Sequence, residues 1–351
     1  MRIEDFQFIG IDPGNSGAKV AVMRDGKVKY YYIPNVTGPA ITLHSIPKSR
    51  DEEVLSVEIQ SAENWEDRKN IFVGELARQQ LQENAIQDRD RYKVDSDSVN
   101  LIVPAVLGML YDGRPIVLGI GSTPTDIVAQ KPMLIYKLVR THSIKFHFGS
   151  KAGKTIKPEV VKVYPYAQAA AGLFGIIHNH PAKESEWDNK TVLGFDFGHG
   201  QFSMAYMENL SPITRFCFSG DFGFYKVAEA VSDFLNKIHY VTATIPQLQK
   251  AVENGFYLKN NAKIDLTPII GRACLELVKL VKDLYISKIP AVNRDQVNSI
   301  VNMGGGGETM VQFVRDKFGM KPEIFSDSLY MNALGLLCIA IEKWSEENGA
   351  R

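Results

Sequence analysis

The stretch Phe8 to Lys19, FIGIDPGNSGAK, is answered further along by Val192 to Gln201, VLGFDFGHGQ. Laid over each other, Gly10, Asp12 and Gly14 fall on Gly194, Asp196 and Gly198, a separation of 196 − 12 = 184 residues. Each copy is an apolar run that ends in Asp and enters a tight glycine-bearing turn. One such run closes many ordinary hairpins. Two of them half a chain apart, each followed by a second apolar run, read as phosphate-binding hairpins of a duplicated fold, facing each other across a cleft. Glycine lets backbone N–H groups approach phosphate oxygens, and successive N–H groups form an anion nest. That places Gly14, Asn15, Ser16 and Gly17 at phosphate in the first turn, and Gly198, His199, Gly200 and Gln201 in the second. Asp12 and Asp196 cannot bind phosphate directly. They suit a hydrated Mg²⁺, which keeps waters and takes few protein carboxylates. Lys19, on the strand leaving the first turn, supplies a point charge.

A third glycine site follows Val301-Asn302-Met303: Gly304, Gly305, Gly306 and Gly307. A glycine run after a buried strand and before a helix lets backbone approach a nucleotide. It is neither a P-loop, since no Gly-Lys-Ser/Thr follows, nor a dinucleotide fingerprint. Gln168, in YPYAQAAAG (Tyr164 to Gly172), is the candidate for orienting an attacking water, which an amide does without acting as a base. Tyr164 is its rival for that position. His178 and His180 form a pair with no further Cys or His ligands nearby, which is poor metal spacing.

The 351 residues are 45% apolar and 23% charged, with a formal net charge of zero. That composition supplies one large or two medium cores. The neutral balance argues against gripping nucleic acid through general basicity. Cys217, Cys274 and Cys338 stand singly in apolar surroundings and read as core thiols in a reducing compartment. No apolar run reaches membrane-spanning length, and MRIEDFQF lacks a signal peptide's apolar core, so a cytoplasmic protein is expected.

Strand-rich openings alternate with helices in both halves. The first half opens with strands over Phe6–Ile11, Ala18–Met23 and Val28–Ile33, turning at Asp25-Gly26. Pro34–Asp51 is a polar excursion, Asn64–Asn70 a charged turn, and Gln87–Asp97 a solvated mixed-charge loop. Ser98–Leu110 is helical, with a start near Val103 possible because Pro104 sits inside it. A hairpin is expected from Phe146–Gly149 to Ile156–Val163. In the second half, Thr214–Ser219 is a third strand and Phe224–Ile238 an amphipathic helix. Further helices are expected at Pro246–Phe256, after Pro268 with a face of Ile269, Ala273, Leu277, Leu280, Val281 and Leu284, at Glu308–Phe318, and at Tyr330–Trp344.

The order of motifs resembles the actin/DnaK/sugar-kinase ATPase superfamily, and within it ParM-type bacterial actins of plasmid segregation. The likeness spans nearly the whole chain: both Asp-x-Gly hairpins, Asp90–Tyr92, IVLGIGSTPTD (Ile116–Asp126), SGDFGFYKVAEAV (Ser219–Val231) and VNMGGGG. It implies an α/β, actin-like ATPase fold of two duplicated ribonuclease-H-like lobes around a nucleotide cleft. Residues 1–188 would form the first lobe with a small insertion over about 34–97, 189–328 the second, and 329–351 a helix returning to the first. It implies ATP or GTP and Mg²⁺ as cofactors, Asp12 and Asp196 as metal residues, and Lys250 and Glu253 as ribose and adenine contacts. It further implies head-to-tail self-assembly, nucleotide hydrolysis, and a DNA-binding adaptor of ParR type in place of direct nucleic-acid contact. Two departures stand out. The second turn reads Asp-Phe-Gly-His-Gly-Gln where the superfamily usually has a Thr pair, and Tyr164 and Tyr166 flank Pro165 where the water-orienting group usually sits. A sugar kinase or a cell-shape or pilus-assembly scaffold is the alternative reading.

Overall fold

The computed structural model describes residues 2–43, 50–60, 69–81, 86 and 93–349. Asp90–Tyr92, most of the mixed-charge run Gln87–Asp97, Asn64–Arg68 and part of the Pro34–Asp51 excursion lie outside them. The chain forms two compact units, Met1–Asp188 with Asp327–Arg351, and Asn189–Ser326.

The strands of the first unit are β1 (Gln7–Pro13), β2 (Gly17–Arg24), β3 (Lys27–Pro34), β4 (Thr37–Pro39), β5 (Ser56–Gln60), β6 (Lys69–Val73), β7 (Ile116–Ser122), β8 (Ser143–Phe146), β9 (Thr155–Ile156) and β10 (Val160–Ala167). Its helices are α1 (Glu75–Leu81), α2 (Val103–Leu110), α3 (Ile127–Leu138), α4 (Gln168–Asn179), α5 (Ala182–Trp187) and a C-terminal helix, Met331–Asn348. The main sheet runs β10-β7-β1-β2-β3, and a second sheet runs β4-β6-β5-β8-β9. Every residue of β1 and β7 is buried, as parallel-paired strands covered on both faces require.

Side chains alternate across a strand, so β1 splits its residues between two layers. Ile9 and Ile11 join a core with Val103, Val106 and Leu107 of α2. Gly10 faces the other way, as does Gly119 of β7, and there the C-terminal helix lies on the backbone itself. A β-carbon at Gly10 would collide with Ala333 O, and one at Gly119 with Leu336 O. The same helix crosses α4 where Gly335 meets the Ala171 carbonyl and Gly175 meets the Met331 carbonyl. The small residues of this chain are the contact surface of that helix pair.

The expected helix at Ser98–Leu110 forms as a π-helical turn over Ser98–Ile102 that runs into α2. Pro104 falls in the first turn of α2, directly after the π-helical turn, where the helix already departs from regular i→i−4 bonding. The end of α2 is closed by side chains. Lys151 Nζ donates to Gly108 O and Met109 O at 2.8 Å, and Arg24 and Gln7 donate to Leu110 O. Cations at a helix C-terminus are also favoured by its dipole.

The hairpin expected to end at Val163 is shorter. β8 pairs β9, and Val160–Ala167 instead joins the main sheet parallel to β7. As an edge strand β10 tolerates Pro165, which lacks a ladder donor. Helix α3 was not read from the sequence, because Pro132 interrupts its pattern.

The second unit contains β11 (Thr191–Phe197), β12 (Phe202–Glu208), β13 (Ser211–Pro212), β14 (Phe218–Gly220), α6 (Tyr225–His239), α7 (Ile245–Asn254), β15 (Phe256–Lys259), β16 (Ala262–Asp265), α8 (Thr267–Lys288), α9 (Ala291–Arg294), β17 (Val297–Met303) and α10 (Val311–Phe318). Its sheet runs β13-β12-β11-β17, with β14 pairing β12. The strand expected at Thr214–Ser219 is a short 3-10 turn followed by β14. Ile238 is 61% exposed and Leu280 39%. The buried stripe of α6 is therefore Val227, Val231 and Leu235, and that of α8 is Cys274, Leu277, Val278, Val281 and Tyr285.

All three cysteines are free. Burial raises the thiols of Cys274 and Cys338 to about 12, and it also pushes the Cys217 thiol upward. A pKa near 12 leaves a thiolate fraction of about 10⁻⁴ at pH 8, and the thiolate is the reactive form. Native protein is expected to resist alkylation at Cys274 and Cys338, with all three thiols titrating in guanidinium. Rapid native labelling of Cys274 would contradict this packing.

Candidate nucleotide site

The two units carry the same hairpin. β1 pairs β2 antiparallel with Asp12 opposite Lys19, and β11 pairs β12 antiparallel with Asp196 opposite Ser203. Both partners are displaced by the same 184 residues, since 203 − 19 repeats 196 − 12. Each Asp-bearing strand has a parallel neighbour on its other side, β7 or β17. The duplication seen in sequence is thus a duplication of register. It also shows one asymmetry: Ser203 occupies the position of Lys19, so the cation belongs to the first hairpin alone.

In the first unit Asp12 is buried at 4% exposure. Gln168 Nε2 donates to its Oδ1, and Asn332 Nδ2 donates to its Oδ2 at 3.2 Å. Gln168 begins α4 and Asn332 sits in the first turn of the C-terminal helix, so two helix starts converge on one carboxylate. Gly121 at the end of β7 stays side-chain-free beside them. A β-carbon there would lie 2.9 Å from Gln168 Cγ and 3.4 Å from Asp12 Oδ1. Lys19 is also buried, and its Nζ would lie 2.5 Å from a β-carbon at Gly14. Gly14 therefore makes room for the Lys19 ammonium over the turn.

Within that turn the Gly14 N–H donates to Asp12 O at 2.9 Å and the Gly17 N–H to Gly14 O at 3.2 Å. These two glycines shape the turn, and their own N–H groups are engaged inside it. Ser16 O accepts from Tyr32 Oη at 2.8 Å and from Asn35 N at 3.1 Å. Asn15 is buried and Ser16 half-buried.

In the second unit the hairpin turn is bound to the start of α6. Gly198 O accepts from Phe224 N at 3.0 Å and His199 O from Tyr225 N at 2.8 Å. A β-carbon at Gly223 would press to 2.5 Å from His199 O and 2.7 Å from Gln201 N, so only glycine fits. Gln201 Nε2 reaches Asp221 Oδ1 at 3.4 Å. His199, Gly200 and Gln201 are half-buried.

The glycine turn after β17 closes on the same place. Gly304 has φ +77, and a β-carbon on it would strike Asp196 Oδ1. Gly306 N donates to Phe197 O at 3.1 Å, Gly307 N to Gly304 O at 3.2 Å, and Asn302 Nδ2 to Gly307 O at 3.0 Å. Gly305 is exposed. Asp196, the second hairpin and the glycine turn therefore form one constellation. Lys250 and Glu253 are exposed on α7, whose buried Leu248 and Ala251 pack on α6. Among the described residues, no hydrogen bond or ion pair ties either to the glycine turn.

Tyr164 is removed from the site. Its hydroxyl donates to Glu347 Oε2 at 2.9 Å, and burial together with that carboxylate raises its pKa. Glu347 lies 15 residues along the C-terminal helix from Asn332, about 22 Å at the helical rise. No group of three or more His, Cys, Asp or Glu suited to a metal occurs among the described residues, His178 and His180 included. In each unit taken by itself, a single hairpin carboxylate beside a turn suits Mg²⁺ bound mainly through water. No helix among the described residues is long and apolar enough to cross a membrane.

These elements define an actin-like fold. Residues 10–169 match the model of the N-terminal domain of actin-like proteins. A 15-stranded ParM filament from Clostridium botulinum superposes with TM-score 0.77 at 19% identity, covering 97% of this chain and 100% of that one. The archaeal actin homolog Ta0583 in complex with ADP gives 0.72 at 15% identity, covering 95% and 99%. ParM from Bacillus thuringiensis with AMPPNP gives 0.65 at 17%, covering 97% and 99%. No curated protein sequence matches. The actin-like fold that the motif resemblance implied is borne out by the domain match and by these superpositions.

Proposed function

We propose that the protein binds ATP or GTP with Mg²⁺, hydrolyses it, and couples hydrolysis to the growth and decay of a head-to-tail filament. The observation that carries this reading is the Asp12 carboxylate, fixed by Gln168 and Asn332 at the register position opposite Lys19. A surface hairpin needs no buried carboxylate held on both oxygens. A site that must orient the waters of a cation does. Asp12 and Asp196 would hold the ion's water shell, and the ion, when bound, neutralises phosphate charge. Lys19 adds a point charge to the phosphates, and the glycine turn Gly304–Gly307 admits the nucleoside by backbone alone. Gln168 donates its amide to Asp12, so its carbonyl oxygen is the group that orients water toward the terminal phosphate.

Assembly is supported by the kinds of structure the chain resembles: a ParM filament, and actin homologs that hold ADP or AMPPNP. A head-to-tail contact is heterologous and generates an open polymer. We further propose that the filament segregates plasmid DNA through a DNA-binding adaptor of ParR type, which agrees with the zero net charge. Sedimentation with Mg-ATP, Mg-GTP and no nucleotide, with Asp196→Ala as control, tests the reading. Nucleotide-dependent pelleting that Asp196→Ala abolishes supports it. Nucleotide turnover without polymer at any concentration overturns it in favour of a kinase, and polymer indifferent to nucleotide favours a scaffold.

A further inference from the structure

The first turn of the C-terminal helix carries chemistry that its otherwise apolar sequence does not need. Its run MNALGLL packs on β1, β7 and α4, yet the second residue is a buried asparagine, 4% exposed. Asparagine is a poor choice for a packed helix interior, and burying its amide is unfavourable unless a partner meets it. The partner here is Asp12 Oδ2, at 3.2 Å. Gln168 takes the other oxygen. Tyr330, one residue before the helix, stacks on Tyr30 with ring centroids 5.1 Å apart, while Tyr32 of the same strand holds the Ser16 carbonyl. The helix start is thus joined to the first hairpin at its carboxylate, and the residue before it to β3, the strand paired with β2.

We infer that Asn332 is a positioning residue for Asp12, fixing the rotamer with which that carboxylate meets hydrated Mg²⁺. The inference rests on the nucleotide reading proposed above. Carboxylate oxygens accept hydrogen bonds, so two amide donors, one per oxygen, restrict rotation about its last bond. Groups that orient a metal-binding side chain typically change metal affinity by 10- to 100-fold when lost. Because Met331 and Gly335 of the same helix touch Gly175 and Ala171 of α4, the helix brings Asn332 to Asp12 at a fixed register.

The test is a MgCl₂ titration of the affinity for a fluorescent ATP analogue, with full-length protein. Asn332→Ala is expected to raise the half-saturating Mg²⁺ concentration about tenfold and to leave affinity in EDTA within about twofold. A merely structural role would weaken both alike. In an Asp12→Ala background, Asn332→Ala should give no further change in Mg²⁺ requirement, the signature of coupled residues. Asn332→Ser keeps a polar group too short to reach Asp12. It should reproduce the shift if the alanine variant folds poorly, as judged by its thermal transition. An unchanged Mg²⁺ requirement in the folded variant, or additive effects in the cycle, overturns the inference while leaving nucleotide binding intact. Wild-type protein that binds no Mg-nucleotide overturns both this inference and the reading beneath it.

Discussion

Gly335→Val is expected to destabilise the first unit by about 3 kcal/mol or more, toward the upper range for overpacked sites. The reason is that no flexible group can yield. A β-carbon at Gly335 meets the Ala171 carbonyl and then the Gly175 backbone, so the two helices themselves must part. Parting them withdraws the C-terminal helix from Gly10 and Gly119 and opens the layer above the central strands. The contrast is Gly271, in α8, where a β-carbon meets nothing within 4 Å. Gly271→Ala should stabilise by about 0.5–1 kcal/mol, because alanine loses less backbone entropy in a helix. Thermal unfolding of the two variants beside wild type checks the pair. A drop of about 10 °C for Gly335→Val, with a small rise for Gly271→Ala, is the expected pattern. Equal and small effects would mean the helix crossing is looser than described.

Asp12→Asn is expected to lower the rate of phosphate release by about 100-fold or more, the scale for removing one preorganised electrostatic group. The substitution keeps the volume and one acceptor oxygen but removes the charge proposed to hold the cation's waters. Its amide nitrogen also turns a donor toward either Gln168 or Asn332, whose own donors already point inward. Asp12→Ala should instead show its effect first in stability. It leaves two buried amide donors without an acceptor, at about 1–3 kcal/mol each. Phosphate release measured at saturating Mg-ATP, beside thermal unfolding, separates the two variants. An Asp12→Asn protein that hydrolyses at the wild-type rate would remove Asp12 from the chemistry.

The hairpins were legible because their signals are local. An apolar run, a carboxylate and a glycine turn can be read along the chain, and the spacing of 184 residues carried over into both strands of each pair. Gly304 was legible for the same reason, as a glycine after a buried strand. The role of Gln168 was only half legible. Its place at the start of α4 depends on Val160–Ala167 staying extended as an edge strand despite the alanine-rich sequence that follows. Tyr164 was misread as a rival because strand alternation, unlike helical spacing, sends it to Glu347. Asn332 was missed, although one asparagine in the first turn of an apolar helix is a visible anomaly. Its partner lies 320 residues away, and only the fold brings them together. The buried stripe of α8 keeps Leu277 and Val281 of the expected face but turns toward Cys274, Val278 and Tyr285, since periodicity alone does not say which side is covered.

The most direct test of the account records light scattering and phosphate release together on one sample after Mg-ATP or Mg-GTP is added. The account predicts that scattering rises above a threshold protein concentration, that phosphate appears after polymer, and that scattering falls as nucleotide is consumed. Asp196→Ala should show neither signal. Steady phosphate release with flat scattering at every concentration would contradict coupling of hydrolysis to assembly.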